Sequence, residues 1–211
     1  MTGKLSLKSI QEKVAAYYSE KLATHGSTPL GVDWNSQESQ QTRFDQLARV
    51  IQKTGFFLVN DLGCGYGAFL EYLKSRYHSF SYEGCDISDS MISAAQSKYP
   101  TNKGDFKNTY FPSRVADYSI ASGVFNVCLD IEKVLWESYV YDYLDILDSH
   151  SRYGFAFNCL TSYSDREKMK DYLFYADPCK IFSFCKKKYS RQVALLHDYG
   201  LYEFTIIVRK S

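Results

Sequence analysis

The stretch "VNDLGCGYGAFLEYL", residues 59–73, decides the fold. An apolar run, Phe56-Phe57-Leu58-Val59, leads into an acid at Asp61; glycines follow at 63, 65 and 67, and a helical pattern begins. Glycine lacks a Cβ, so such a turn bends sharply and lets a ligand approach the backbone closely. The helix that follows offers unpaired amides and the positive end of its dipole to a negatively charged group. The ligand is thus a phosphate, a dinucleotide or another adenosine-bearing molecule.

Outward from this turn, strands and helices alternate. Residues 56–61 form a strand buried on both faces, 67–76 a helix, 80–86 a strand and 89–98 a helix. Residues 100–106 read as a weaker strand, 117–122 as a stronger one, 131–148 as a long helix and 153–160 as another strand. Residues 165–188 read as helix in two pieces broken near Pro178. The chain closes with strands at 192–197 and 202–209, whose connection "DYGL" is too short for a parallel crossover and makes the pair antiparallel. Ahead of the turn lie helices at 8–24 and 37–53, joined by a loop rich in turn residues, "HGSTPLGVDWNS". The alternation predicts a mostly parallel sheet covered on both faces, which binds ligands at the carboxyl ends of its strands.

The phosphate reading fails, because GxxxxGK[ST] is absent. The dinucleotide template fits: Gly63, Gly65 and Ala68 match GxGxxA, with Asp86 about twenty residues on to hold a ribose. The alternative is S-adenosylmethionine. "DLGCGYG", with Asp61, Gly63, Gly65 and Gly67, resembles the first motif of the class I methyltransferases: an acid two residues before GxGxG. The resemblance extends over about residues 56–209. It includes "YEGCDIS" ending in Asp86, "GDF" with Asp105 and Phe106, "ASGVFNV" from Ser122 to Val127, and the closing hairpin. The N-terminal "WN…RF" segment adds a likeness to small bacterial methyltransferases of polysaccharide and secondary-metabolite pathways.

The resemblance implies a Rossmann-like α/β fold. Its seven-stranded, mostly parallel sheet ends in an antiparallel C-terminal hairpin under an N-terminal helical cover. One methyltransferase domain is expected over 1–211, with the cover at 1–54 and the core at 55–211. The implied cofactor is S-adenosyl-L-methionine. Asp86 would take both ribose hydroxyls, Asp61 the ammonium, Asp105 and Phe106 the adenine, and Ser122 and Gly123 the methionine part. Gly63, Gly65, Tyr66, Gly67 and Ile87 complete the core of the cofactor set. Trp34 and Arg43 are added from the cover: Trp34 lies against adenosine or substrate, or anchors the N-terminal helices, and Arg43 pairs with a carboxylate or lies on the surface.

Methyl transfer from a sulfonium is an in-line displacement, so alignment and water exclusion come first. A base is needed only for a nucleophile that holds its proton. His25 is the first candidate base and Asn126 a positioning group; Tyr18, Tyr175 and Asp177 are the candidate substrate contacts. The position after the fourth strand reads "FNVC" rather than [DN]PP[YF], which argues against adenine amino methylation. Pro178-Cys179 falls after the fifth strand, the wrong place for a cytosine carbon-5 nucleophile. Net charge is +1, with Lys186-Lys187-Lys188 as the only dense cluster, so nucleic acid is not expected as a partner. The remaining acceptor is a small molecule or glycan, methylated on oxygen or nitrogen, with oxygen the expectation. An NAD-binding oxidoreductase and an inactive cofactor-binding module are the alternatives. No apolar run is long enough for a membrane span. The six cysteines form no CxxC pair, so no metal is expected, and a cytoplasmic chain with reduced thiols is.

Overall fold

The computed structural model describes residues 7–210; residues 1–6, the start of the expected N-terminal cover, lie outside the described residues. Helices α1 (Leu7–His25) and α2 (Gln37–Leu47) precede strand β1 (Phe57–Leu62). Then come α3 (Ala68–Arg76), β2 (Phe80–Asp86), α4 (Asp89–Lys98), β3 (Phe106–Asn108), β4 (Ala116–Ala121), α5 (Lys133–Ser149) and β5 (Ser151–Thr161). The chain ends in β6 (Tyr175–Ala176), α6 (Pro178–Lys188), β7 (Gln192–Leu196) and β8 (Glu203–Arg209). The strand order is β3-β2-β1-β4-β5-β8-β7, with the two-residue β6 paired to β5 off this path. Strands β1 to β5 run parallel to one another, whereas β8 is antiparallel to both β5 and β7. This is the expected Rossmann-like sheet with its antiparallel hairpin.

Side chains alternate along the strands, so the sheet feeds two cores. On β5, Phe155, Phe157 and Cys159 pack with α1, α5 and α6, while Ala156 points to the other side, where α2, α3 and α4 pack. Local chemistry sets the helix ends. Gly67 at φ 83 caps α3, the Ser88 hydroxyl accepts from Met91 N at the start of α4, and Asp177 accepts from Cys179 N and Lys180 N ahead of Pro178.

Three expected elements differ. The second helix stops at Leu47 and passes into a 3-10 turn over Ala48–Val50 rather than reaching residue 53. Residues Pro100–Asp105 form 3-10 turns, so the third strand holds only Phe106–Asn108. Residues 165–177 are not helical beyond one 3-10 turn, Arg166–Lys168. Their backbone groups bond outward instead. Cys128 N and Leu129 N donate to Tyr172 O, and Phe174 N donates to Asn126 O. With the donors and acceptors satisfied by the loop after β4, the segment gains nothing from helix.

Candidate active site

Beyond the carboxyl ends of β1, β2 and β4 lies a pocket with about 830 Å³ of empty space, counting its opening to solvent. The glycine turn forms its floor. Gly63, Gly65 and Gly67 have φ of 74, 53 and 83, in the left-handed region that other residues rarely adopt. The turn is stitched to β2: Gly63 N and Cys64 N donate to Cys85 O at 2.7 and 3.0 Å, and Gly65 N donates to Asp86 Oδ2 at 2.9 Å. A Cβ on Gly63 would lie 2.4 Å from Val124 Cγ2, so the turn and the loop after β4 touch at a spot only glycine fits.

Two acids face this pocket, held differently. Asp61 is 1% exposed and accepts a hydrogen bond from Tyr82 Oη at 2.7 Å. Burial pushes its carboxyl up to about 7, against the pull of that bond, and the neighbouring Asp86 adds to the rise. Asp86 accepts from Gly65 N and Ser88 N, which offset part of the upward push of its own burial. The opposite wall is Ser122, Gly123 and Val124 after β4. The Ser122 hydroxyl is buried there without a hydrogen-bond partner among the described residues.

Tyrosines and the cover complete the lining: Tyr18 of α1, Tyr110, Tyr139 and Tyr143 on one side, Trp34, Gln40, Phe44 and Tyr66 on the other. Burial raises the hydroxyl pKa of Tyr18, Tyr110, Tyr139 and Tyr143, so all four stay protonated at neutral pH. No histidine, lysine or arginine of the described residues lines the pocket.

Of the residues singled out from the sequence, Tyr18, Trp34, Asp61, Gly63, Gly65, Tyr66, Asp86, Ile87, Ser122 and Gly123 meet at this pocket. The others lie elsewhere. His25 is exposed at the end of α1, where its carbonyl accepts from Thr28 Oγ1. Asn126 is buried, and its side chain accepts from Leu160 N, which pins the loop after β4 to β5. Asp105 accepts from Asn102 Nδ2 within the 3-10 turn, and Phe106 is core, stacked on Tyr99. Thr109 and Tyr110, just past β3, line the pocket where Asp105 and Phe106 do not, because the strand begins later than its composition suggests. Gly67 packs toward Phe106 and Tyr99. Tyr175 Oη accepts from Lys170 N, and Asp177 is a helix cap.

Arg43 does pair with a carboxylate, but one inside the protein. Its Nε and Nη2 donate to Glu203 Oε2 and Oε1, both at 2.9 Å, and its guanidinium lies 3.9 Å from the Trp34 ring centroid. Sequence reasoning missed Gln40, Phe44, Tyr110, Tyr139 and Tyr143. The last two had a signal, two tyrosines one helical turn apart on one face of a long helix.

Strand order, the glycine turn after the first strand and an acid ending the second define a Rossmann-like fold of the kind that binds nucleosides. Residues 60–140 match a family model described as a methyltransferase domain. A Mycobacterium tuberculosis protein named "Putative methyltransferase Rv1506c" is 51% identical over 164 residues, 77% of this chain and 99% of that protein. The Synechocystis magnesium protoporphyrin IX methyltransferase, solved with bound S-adenosylmethionine, superposes with a TM-score of 0.68 at 14% identity, covering 100% of both chains. A DhpI-SAM-HEP complex superposes with a TM-score of 0.63 at 14% identity, covering 98% of this chain and 99% of that one. The chain belongs to the class I S-adenosylmethionine-dependent methyltransferases. That membership decides between the two readings of the glycine turn in favour of S-adenosylmethionine.

Proposed function

We propose that this pocket holds S-adenosylmethionine and that the protein methylates a hydroxyl of a neutral small molecule or glycan. The observation that carries the reading is the convergence of the glycine turn, Asp61, Asp86 and the partnerless Ser122 hydroxyl on one cavity. The residues present suit the cofactor. The α3 N-terminus and the turn amides would take the carboxylate, Asp61 the ammonium, Asp86 the ribose hydroxyls, and Ile87, Thr109 and Tyr110 would flank the adenine. When bound, the cofactor supplies a methyl group on an electrophilic sulfonium.

The chain's own residues then align the reactants and exclude bulk water, and the acceptor's hydroxyl proton is released to solvent as the new O–CH3 bond forms and the S–CH3 bond breaks. The protonated tyrosines are hydrogen-bond donors, not bases. Their rings, with Trp34, favour an uncharged acceptor with an apolar face, and among the described residues the lining offers no cation to an anionic one. A phenolic hydroxyl, with a pKa of about 10, needs less help from a base than a sugar alcohol does. Within the class, that favours phenols.

Calorimetric titration with S-adenosylmethionine, S-adenosylhomocysteine and NAD tests the cofactor: micromolar binding of the first two and none of NAD is expected, and binding of NAD alone would overturn it. A screen of phenols and sugars with methyl-labelled cofactor tests the acceptor. Tight cofactor binding with no labelled product from any acceptor would favour an inactive binding module.

A further inference from the structure

Glu203 is a buried acid opening a mostly apolar strand, 1% exposed and remote in sequence from the glycine turn. It joins a closed ring of contacts. Arg43 donates to both of its oxygens. Asn158, fully buried on β5, donates through Nδ2 to Glu203 Oε2 at 2.6 Å and accepts through Oδ1 from Gly123 N at 2.7 Å. Gly123 returns to the start: a Cβ there would lie 2.3 Å from Trp34 Cζ2, and Trp34 stacks on Arg43. Two members of the ring, Trp34 and Gly123, line the pocket, while Arg43, Asn158 and Glu203 do not.

We propose that Glu203, acting through Asn158 and Arg43, is a positioning residue for methyl transfer that sets the gap between Trp34 and the Gly123 turn. The proposal rests on the reading of this pocket as the S-adenosylmethionine site. The ring reaches both walls by different routes. Asn158 fixes the peptide at Gly123, whose neighbour Ser122 offers the partnerless hydroxyl. Arg43 fixes the indole against the other side of the same peptide. A carboxylate is the one group that accepts from a guanidinium fork and an amide together, which accounts for an ion pair in a site that hydrophobic residues would fill at no loss of stability.

That last point supplies the test. Exchanging the pair together, Arg43→Met with Glu203→Leu, removes both charges at once and leaves a folded protein, because neither charge is stranded. The expected result is a melt that stays cooperative but is lowered by the Asn158 amide left without its Glu203 acceptor, with affinity for S-adenosylhomocysteine weaker by about tenfold or more, since small misplacements of a binding wall are costly. Asn158→Ala, with the ion pair kept, is expected to weaken binding in the same direction. A folded variant of either kind that binds with wild-type affinity overturns the proposal. Hydrogen exchange on the wild-type protein gives a reading independent of folding. S-adenosylhomocysteine is expected to slow exchange in residues 199–205, and no change there overturns the coupling. Failure of the wild-type protein itself to bind S-adenosylhomocysteine would refute the proposed function instead.

Discussion

The glycine turn after β1 and the cover over residues 26–47 face the same pocket and are built by opposite means. The turn is a backbone object: three left-handed glycines at alternate positions, amides bonded to Cys85 O and Asp86, and no room for a Cβ at residue 63. The cover is a side-chain object, held by Trp34, Arg43 and Glu203 from three separated segments. The turn therefore tolerates almost no change in residue type, while the cover tolerates change that preserves its contacts as a group.

The largest break in that comparison is Gly63→Ala. The left-handed φ and the 2.4 Å approach to Val124 make it cost roughly 2–3 kcal/mol in stability and abolish binding of S-adenosylhomocysteine, read by thermal melting and calorimetry. Asp86→Ala comes next. It strands the Gly65 and Ser88 amides as well as the ribose hydroxyls, and affinity should fall about a hundredfold, or ~3 kcal/mol. Retained affinity would overturn the ribose assignment.

A smaller effect sharpens the contrast through pH. Asp61 keeps its proton up to about 7 in the folded protein but releases it near 3.8 when unfolded. Between those values the unfolded chain binds fewer protons, so this group lowers stability as pH rises through the window. A bound ammonium favours the charged carboxylate, so affinity for S-adenosylhomocysteine should rise from pH 6 to pH 8. Asp61→Asn should flatten that rise. The smallest effects lie outside the pocket. Asp177→Ala should remove about 1 kcal/mol of stability as a lost cap, and His25→Ala should stay within about 0.5 kcal/mol, each with cofactor affinity unchanged in the same titrations.

The same contrast explains what the sequence could and could not reveal. Asp61, Gly63, Gly65 and Asp86 were legible because turn geometry and strand ends restrict residue type within a short span. The parallel sheet and its hairpin were legible from alternation and connection length. Asp105 and Phe106 do not reach the pocket lining, because 3-10 turns opening at Pro100 delay the third strand by several residues. For Arg43 the sequence leaves a carboxylate partner and a surface position both open, and no local pattern says that it is buried against Glu203, 160 positions away. His25 and Asp177 carry suitable chemistry at helix ends, where that chemistry serves the helix or faces solvent. The tyrosines of α5 were hidden because an aromatic stripe on a helix reads the same whether it faces a core or a cavity.

The chain's two tryptophans occupy unlike places. Trp136 is fully buried, its Nε1 bonded to Phe125 O, whereas Trp34 lies at the pocket wall beneath a guanidinium. The protein thus carries its own optical gauge: a constant emitter in the core and a responsive one beside the ligand. Intrinsic emission should change on adding S-adenosylhomocysteine and lose that response in Trp34→Phe, so candidate acceptors can be followed as they arrive without any label.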